Sequence, residues 1–241
     1  MIVTFTDFGL QGPYLGQVKA VFAREAPAVP VIDLLADAPA ANPRAAAYLL
    51  AAYDDVFEAD TVFFAVVDPG VGTARRPVVL HANHRWYVGP DNGLLAIVAR
   101  HAARAEAWEI TWRPPQLSAS FHGRDLFAPV AARLALGDAP PGRALAGGLA
   151  QPGWPDDLAE IVYIDHYGNA MTGLRAAGLP AAATLSAGGH RLARARTFGD
   201  VPPGTGFWYE NSNGLAEIAV SGGRADQALG LAVGSAVSVT P

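Results

Sequence analysis

The chain has 241 residues, 51% hydrophobic and 16% charged, enough to bury one full core and a smaller second one, which excludes a disordered chain. Zero cysteines exclude disulfides, thiolate catalysis and Cys-based zinc sites, and the six histidines form no HxH or HExxH pair, so no metal is expected. A formal charge of -5 without a Lys/Arg run argues against a nucleic-acid surface, and neither a long apolar run nor a signal-like leader is evident, so a cytoplasmic protein acting on a small molecule is expected.

Ile2–Phe5 reads as a strand ending at Thr6-Asp7-Phe8-Gly9, and Tyr14, Leu15, Val18, Val21 and Phe22 then fall at helical spacing within residues 12–26. The unit recurs: Val29–Leu34 reads as a buried-type strand, Asn42-Pro43 as a helix N-cap with Pro at N1, and Ala45–Val56 as an Ala/Leu-rich helix. Thr61–Val67 is a third strand, continuously apolar, as expected where both faces of a sheet are covered. Pro77–His81 and Trp86–Val88 predict a hairpin through Asn83, followed by a helix over Asn92–His101, a strand over Trp108–Thr111 and a helix over Asp125–Leu136.

Alternating strands and helices imply a parallel or mixed sheet whose ligands sit beyond the carboxyl ends of its strands. The texture changes near Gly137, and a Gly/Pro-rich linker is placed at 147–157. Short runs at Ile161–Ile164, Ala183–Ser186, Gly206–Tyr209, Ala216–Val220 and Ala236–Val239, with no clear helix, predict a small antiparallel barrel or sandwich. The expected division is therefore 1–150 and 158–241.

Polar stretches interrupt the apolar elements at strand ends. Asp68 follows Thr61–Val67 and precedes Pro69-Gly70-Val71-Gly72, a turn that brings backbone close to a ligand; it is suited to hold a hydroxyl, water or metal, or merely to cap the turn. His122, between Phe121 and Gly123 and close to Arg124 and Asp125, is suited to accept a proton near neutral pH or to be a satisfied structural residue, with Asp125 as cap of the next helix. Asp165-His166-Tyr167-Gly168-Asn169 and Asn211-Ser212-Asn213-Gly214 read either as site loops or as ordinary hairpin turns.

Taken in order, Thr6–Gly9, Asp68–Arg75, Gly89-Pro90-Asp91-Asn92-Gly93, Phe121–Pro129, Ile164–Asn169 and Asn211-Ser212 closely resemble the S-adenosylmethionine hydrolases, also called S-adenosylmethionine hydroxide adenosyltransferases. The resemblance implies an N-terminal α/β sandwich domain with a central mostly parallel sheet, a C-terminal antiparallel β-barrel domain, and a homotrimer with ligand sites at subunit interfaces. It also implies hydrolysis of S-adenosyl-L-methionine to adenosine and L-methionine without a cofactor, with Asp68, Arg75 and His122 around the attacking water; Arg76 stands beside Arg75, so motif spacing alone selects between them. Asp7 is the candidate for the ribose hydroxyls, since a carboxylate accepts from both. Asp165 and Asn169 would hold the methionine ends, and Asn211 and Ser212 the adenine edge or the methionine. Phe121, Trp208 or Tyr209 would stack on the base, and Phe8, Asn92 and Gly123 complete the expected contacts.

Three alternatives compete. A chlorinase would act at the same carbon with Gly123 near the nucleophile, but the related halogenases lack this Asp-Arg-His set and carry a Tyr-type residue in place of Asp68. A non-catalytic binding protein would retain the ligand unchanged, and a metal-dependent phosphoesterase would use Asp7, Asp68, Asp91 and His122.

Overall fold

The computed structural model describes residues 1–241, which form two compact units, 1–152 and 153–241. The first is built on a seven-stranded sheet of order β2-β1-β3-β5-β4-β6-β7. Its strands are β1 (Ile2–Thr6), β2 (Val31–Leu35), β3 (Val62–Val66), β4 (Pro77–Ala82), β5 (Arg85–Pro90), β6 (Ala105–Ile110) and β7 (Gly142–Ala144). Parallel pairing joins β2, β1, β3 and β5, while β6, antiparallel to the reversed β4, regains their direction. Only β4 and β7 run against the majority, so the sheet is mostly parallel, as expected.

Every residue of β1 and β3 is buried, as their unbroken apolar runs require at the centre of a covered sheet. The expectation of a buried strand fails at β2, where Ile32 is 42% exposed. β2 pairs with β1 alone and forms the sheet edge, so its apolar residues are not covered as a central strand's would be.

Helices α1 (Tyr14–Glu25), α2 (Pro43–Ala51), α3 (Ala96–His101) and α4 (Ala128–Ala135) accompany the sheet. Val18, Val21 and Phe22 of α1 and Val130, Ala131 and Leu134 of α4 share one apolar cluster with Ile2, Phe64 and Val66 of the sheet. Asn42 caps α2 as anticipated, its side chain accepting from the Ala45 amide at 3.1 Å, with Pro43 at the first position. The β4–β5 hairpin turns at Asn83-His84, both with positive φ (47° and 65°), the pair of left-handed residues that matches strand twist.

The second unit is built on two antiparallel sheets. One has the order β12-β13-β9-β8, from β8 (Leu158–Ile164), β9 (Ala170–Arg175), β12 (Gly206–Glu210) and β13 (Leu215–Val220); the other, β11-β10-β14, comprises β10 (Thr184–Ala187), β11 (His190–Leu192) and β14 (Ser238–Thr240). Isolated bridges link Glu160 to Ala236 and Arg194 to Trp208. A one-turn helix, α5 (Ala225–Ala228), corrects the expectation that this unit lacks helix. Alternation in the larger sheet sends Ala170, Trp208 and Ile218 into the apolar cluster and leaves Met171, Tyr209 and Glu217 on the opposite face.

Candidate active site

The loop after β3 folds back so that the Arg75 guanidinium grips the Asp68 carboxylate. Arg75 Nε lies 2.9 and 3.0 Å from the two Asp68 oxygens, and Nη2 closes the pair onto Oδ2. The side chains are only 9% and 5% exposed, so the charges compensate one another with little water. Arg76 points elsewhere and pairs with Asp91 at 2.5 Å, which makes Arg75 the guanidinium beside Asp68. No group of three or more His, Asp or Glu side chains is arranged to hold a metal, and Asp91 is held by Arg76.

His122 stands against the same guanidinium, with Nδ1 3.0 Å from Arg75 Nη2. A guanidinium has only hydrogens to offer, so Nδ1 must be the acceptor and the neutral ring carries its proton on Nε2. Burial and the Arg75 charge both depress the His122 pKa below its ordinary 6.5, the first more strongly, while Asp68 opposes them. The neutral ring is thus the form that the surroundings favour.

Close approach of two loops makes this arrangement. At Gly72, φ is 78° and a Cβ would stand 2.6 Å from the Ala119 carbonyl oxygen, so only glycine lets the loop carrying Arg75 lie against the one leading to His122. The expected helix over Asp125–Leu136 begins instead as a wide π-type turn, Gly123–Phe127, before α4, an irregularity common at functional sites. Asp125 is not its N-cap; it accepts from the Ser118 amide at 2.9 Å and holds the loop that precedes His122.

Asp7, Phe8, Asp68, Phe121, His122 and Gly123 line a cavity of about 130 Å³, room for a handful of waters at roughly 30 Å³ each. The Phe8 and Phe121 rings meet edge-on at 5.8 Å, and Tyr14, half exposed, packs on Phe121 at 5.4 Å. Asp7 accepts from the Ala41 amide at 2.9 Å, and Ala41 is held at φ 51°. Burial raises the Asp7 carboxyl pKa above its ordinary 3.8. At Gly123 a Cβ would stand 2.9 Å from Phe8 Cζ and 3.2 Å from Phe121 Cε2. Gly123→Ala is therefore expected to lower stability by about 1–3 kcal/mol through overpacking, which urea denaturation measures, and to constrict this cavity.

Asn92 is not among these side chains. Its Nδ2 donates to the Val67 carbonyl at 2.9 Å and its Oδ1 accepts from the Leu94 amide at 3.2 Å, so it braces the backbone next to Asp68.

In the second unit, Asp165, Asn169, Tyr209, Asn211 and Ser212 line one cavity of about 800 Å³. Asp165 holds Asn169 through its backbone amide at 2.8 Å and its Nδ2 at 3.0 Å, leaving Asn169 Oδ1 as the unengaged end of that amide. Most of Asn211 is engaged: Oδ1 accepts from the Asn213 and Leu215 amides, Nδ2 donates one hydrogen to Glu217, and its backbone pairs with Leu215 and Gly214, which leaves the second Nδ2 hydrogen. Trp208 is fully buried, its Nε1 donating to the Ala183 carbonyl at 2.9 Å, so it is unavailable as a base-stacking surface. Glu217 was missed; its signal is an acid inside the apolar run Leu215–Val220.

Residues 2–143 match the SAM hydroxide adenosyltransferase N-terminal domain and residues 159–238 its C-terminal domain. The chain belongs to the SAM hydroxide adenosyltransferase family. Among members of this SAM hydroxide adenosyltransferase family, an (R)-S-adenosyl-L-methionine hydrolase of Thermus thermophilus is 43% identical, with 96% of each chain covered. Another (R)-S-adenosyl-L-methionine hydrolase, from Salinispora arenicola, is 42% identical over 98% of this chain and 95% of that one. The crystal structure of a conserved protein from Thermotoga maritima superposes with a TM-score of 0.90 at 33% identity, with all of both chains covered.

Proposed function

We propose that the chain hydrolyses (R)-S-adenosyl-L-methionine to adenosine and L-methionine by in-line attack of water on ribose C5′. The observation that carries this reading is the nearly enclosed Asp68–Arg75 ion pair with His122 against it, beside a cavity that also holds Asp7, in a chain 43% identical to a hydrolase of that substrate. The sulfonium leaves as a neutral thioether and needs no general acid, so the work falls on orienting and deprotonating water.

The donor-only guanidinium divides the labour. With Nδ1 committed to Arg75, His122 presents N–H at Nε2 and acts as a donor to the water oxygen. Asp68 is left as the proton acceptor, and Arg75 favours hydroxide character by its charge. Asp7 takes the ribose hydroxyls, Asp165 and Asn169 the methionine ends, and Tyr209 and Ser212 face the base. Asn211 shapes its loop and keeps one Nδ2 hydrogen to offer the ligand. No cofactor enters this scheme.

The chain is further proposed to act in the cytoplasm as a homotrimer in which residues from both units, contributed by neighbouring copies, complete each ligand site. What supports this is that the water-handling residues and the 800 Å³ cavity belong to separate units. Light scattering that returned a monomer would remove this assembly.

Incubation of the purified protein with each sulfur epimer of S-adenosylmethionine, followed by chromatography and mass spectrometry, tests the reaction. Adenosine and methionine from the R epimer are expected. Ligand retained unchanged would make the chain a binding protein, and 5′-chloro-5′-deoxyadenosine formed in chloride would make it a halogenase.

The His122 pKa gives a pH dependence with a definite sign. Because it is held below 6.5 in the folded chain, the unfolded chain takes up the proton first on acidification. Stability therefore rises with pH between the folded value and 6.5 and falls as pH drops through that window. The rate should stay level as pH falls through 6.5 and decline below it, and a kcat profile already declining above 6.5 would contradict the neutral-ring role.

A further inference from the structure

Glu217 lies in the middle of β13 with 2% of its surface exposed. It stands directly opposite Tyr209 on β12 and pairs on its other side with Met171 of β9. Its Oε1 accepts from the Tyr209 hydroxyl at 2.5 Å and its Oε2 from Asn211 Nδ2 at 2.8 Å. All of these residues line the 800 Å³ cavity.

The Asn211 amide cannot turn over, because its Oδ1 already accepts two backbone N–H groups, from Asn213 and Leu215, each at 3.0 Å. Glu217 Oε2 therefore always faces a donor, and Oε1 draws the Tyr209 proton inward. A hydroxyl has one proton, so Tyr209, with that proton committed to Glu217, has only lone pairs to offer a ligand. Met171, Phe198 and Val220 supply apolar wall suited to a flat aromatic group, in a cavity that Asp165 and Arg224 also line.

We propose that Glu217 is a positioning residue that fixes Tyr209 as a hydrogen-bond acceptor, so that this cavity selects a nucleobase bearing an exocyclic amine over one bearing a carbonyl at that edge. The proposal rests on the reading of this cavity as the nucleoside part of an S-adenosylmethionine hydrolase site. A carbonyl brought to an acceptor leaves both oxygens unpaired and is rejected more strongly than a missing contact would be.

Glu217→Gln isolates the effect because it preserves shape and exchanges one acceptor for a donor. The Gln oxygen must face the locked Asn211 amide, which puts its NH₂ against Tyr209. Tyr209 then accepts, and its proton turns to the cavity.

The wild type, Glu217→Gln and Tyr209→Phe are titrated calorimetrically with adenosine and with inosine, and kcat and KM are measured with S-adenosylmethionine. The wild type is expected to bind adenosine at least about tenfold more tightly than inosine, and Glu217→Gln to erase or invert that ratio. KM should rise about tenfold with kcat little changed, since a contact to the base is made equally in ground and transition states. Tyr209→Phe should also lose the preference.

A carboxylate that merely supported the fold would weaken both nucleosides together and keep their ratio, which overturns the proposal, as does a wild type that does not discriminate. If Glu217→Gln does not fold, Tyr209→Phe decides alone: a retained preference overturns the proposal and a lost one supports it. Adenosine preferred as expected but with no hydrolysis would refute the proposed activity and leave this inference standing.

Discussion

Asp68→Asn is expected to lower kcat for S-adenosylmethionine hydrolysis by about 10²- to 10⁴-fold, the range for loss of a proton acceptor in the transition state. Asn matches Asp in shape and stays within reach of Arg75, but its amide oxygen is far less basic than a carboxylate. Its NH₂ also faces a guanidinium that only donates, so one of the contacts now made by Arg75 becomes donor against donor. His122 cannot substitute, because its Nδ1 is occupied by Arg75 and its Nε2 carries the proton. Substrate contacts lie elsewhere, so KM should change little; single-turnover kinetics separate the chemical step from binding. A kcat within about threefold of wild type, equivalent to less than 1 kcal/mol of barrier, would remove Asp68 from the mechanism.

The largest stability effect is expected from Arg75→Met, at about 3–5 kcal/mol, the cost of leaving one partner of a buried ion pair uncompensated. Met restores much of the packing of the Arg stem but not the guanidinium that stacks 5.1 Å over the Phe127 ring and holds both Asp68 and His122. Activity should be lost as well. The double variant Arg75→Met/Asp68→Asn separates the two losses, because removing both charges removes the stranded carboxylate. Chemical denaturation should show the double variant recovering a substantial part of the stability, while turnover remains absent. Equal destabilisation of single and double variants would mean that the pair contributes by shape and not by charge.

What could be read without coordinates was local. The cap at Asn42-Pro43 and the strand Val62–Val66 follow from neighbouring residues alone, and the family motifs located Asp68, Arg75 and His122. The exposed edge of β2 was not legible, because its apolar sequence says nothing about how many strands flank it. β9 was missed as well: Gly173 sits where a Cβ would be 2.6 Å from Leu158 Cβ, so close packing has replaced the alternation that marks a strand. Asn92 and Asn211 show another limit. Motif membership marks a residue as needed without saying what it holds: Asn92 spends its amide on the backbone, and Asn211 divides its own between backbone N–H groups and Glu217. Glu217 stands out as an acid within the apolar run Leu215–Val220, but its partner becomes visible only when β12 and β13 are aligned in register, since Tyr209 lies on the neighbouring strand.

The pairing of Asp68 with Arg75 bears on how a cation is turned over. An isolated carboxylate beside the reacting carbon would grip the positively charged sulfonium most tightly before reaction, when its charge is undiminished, and would deepen the ground state that must be escaped. The adjacent guanidinium offsets the Asp68 charge at close range. A basic oxygen is thereby kept next to the nucleophile without clamping the departing cation, so affinity can be drawn from the parts of the substrate whose charge does not change during the reaction.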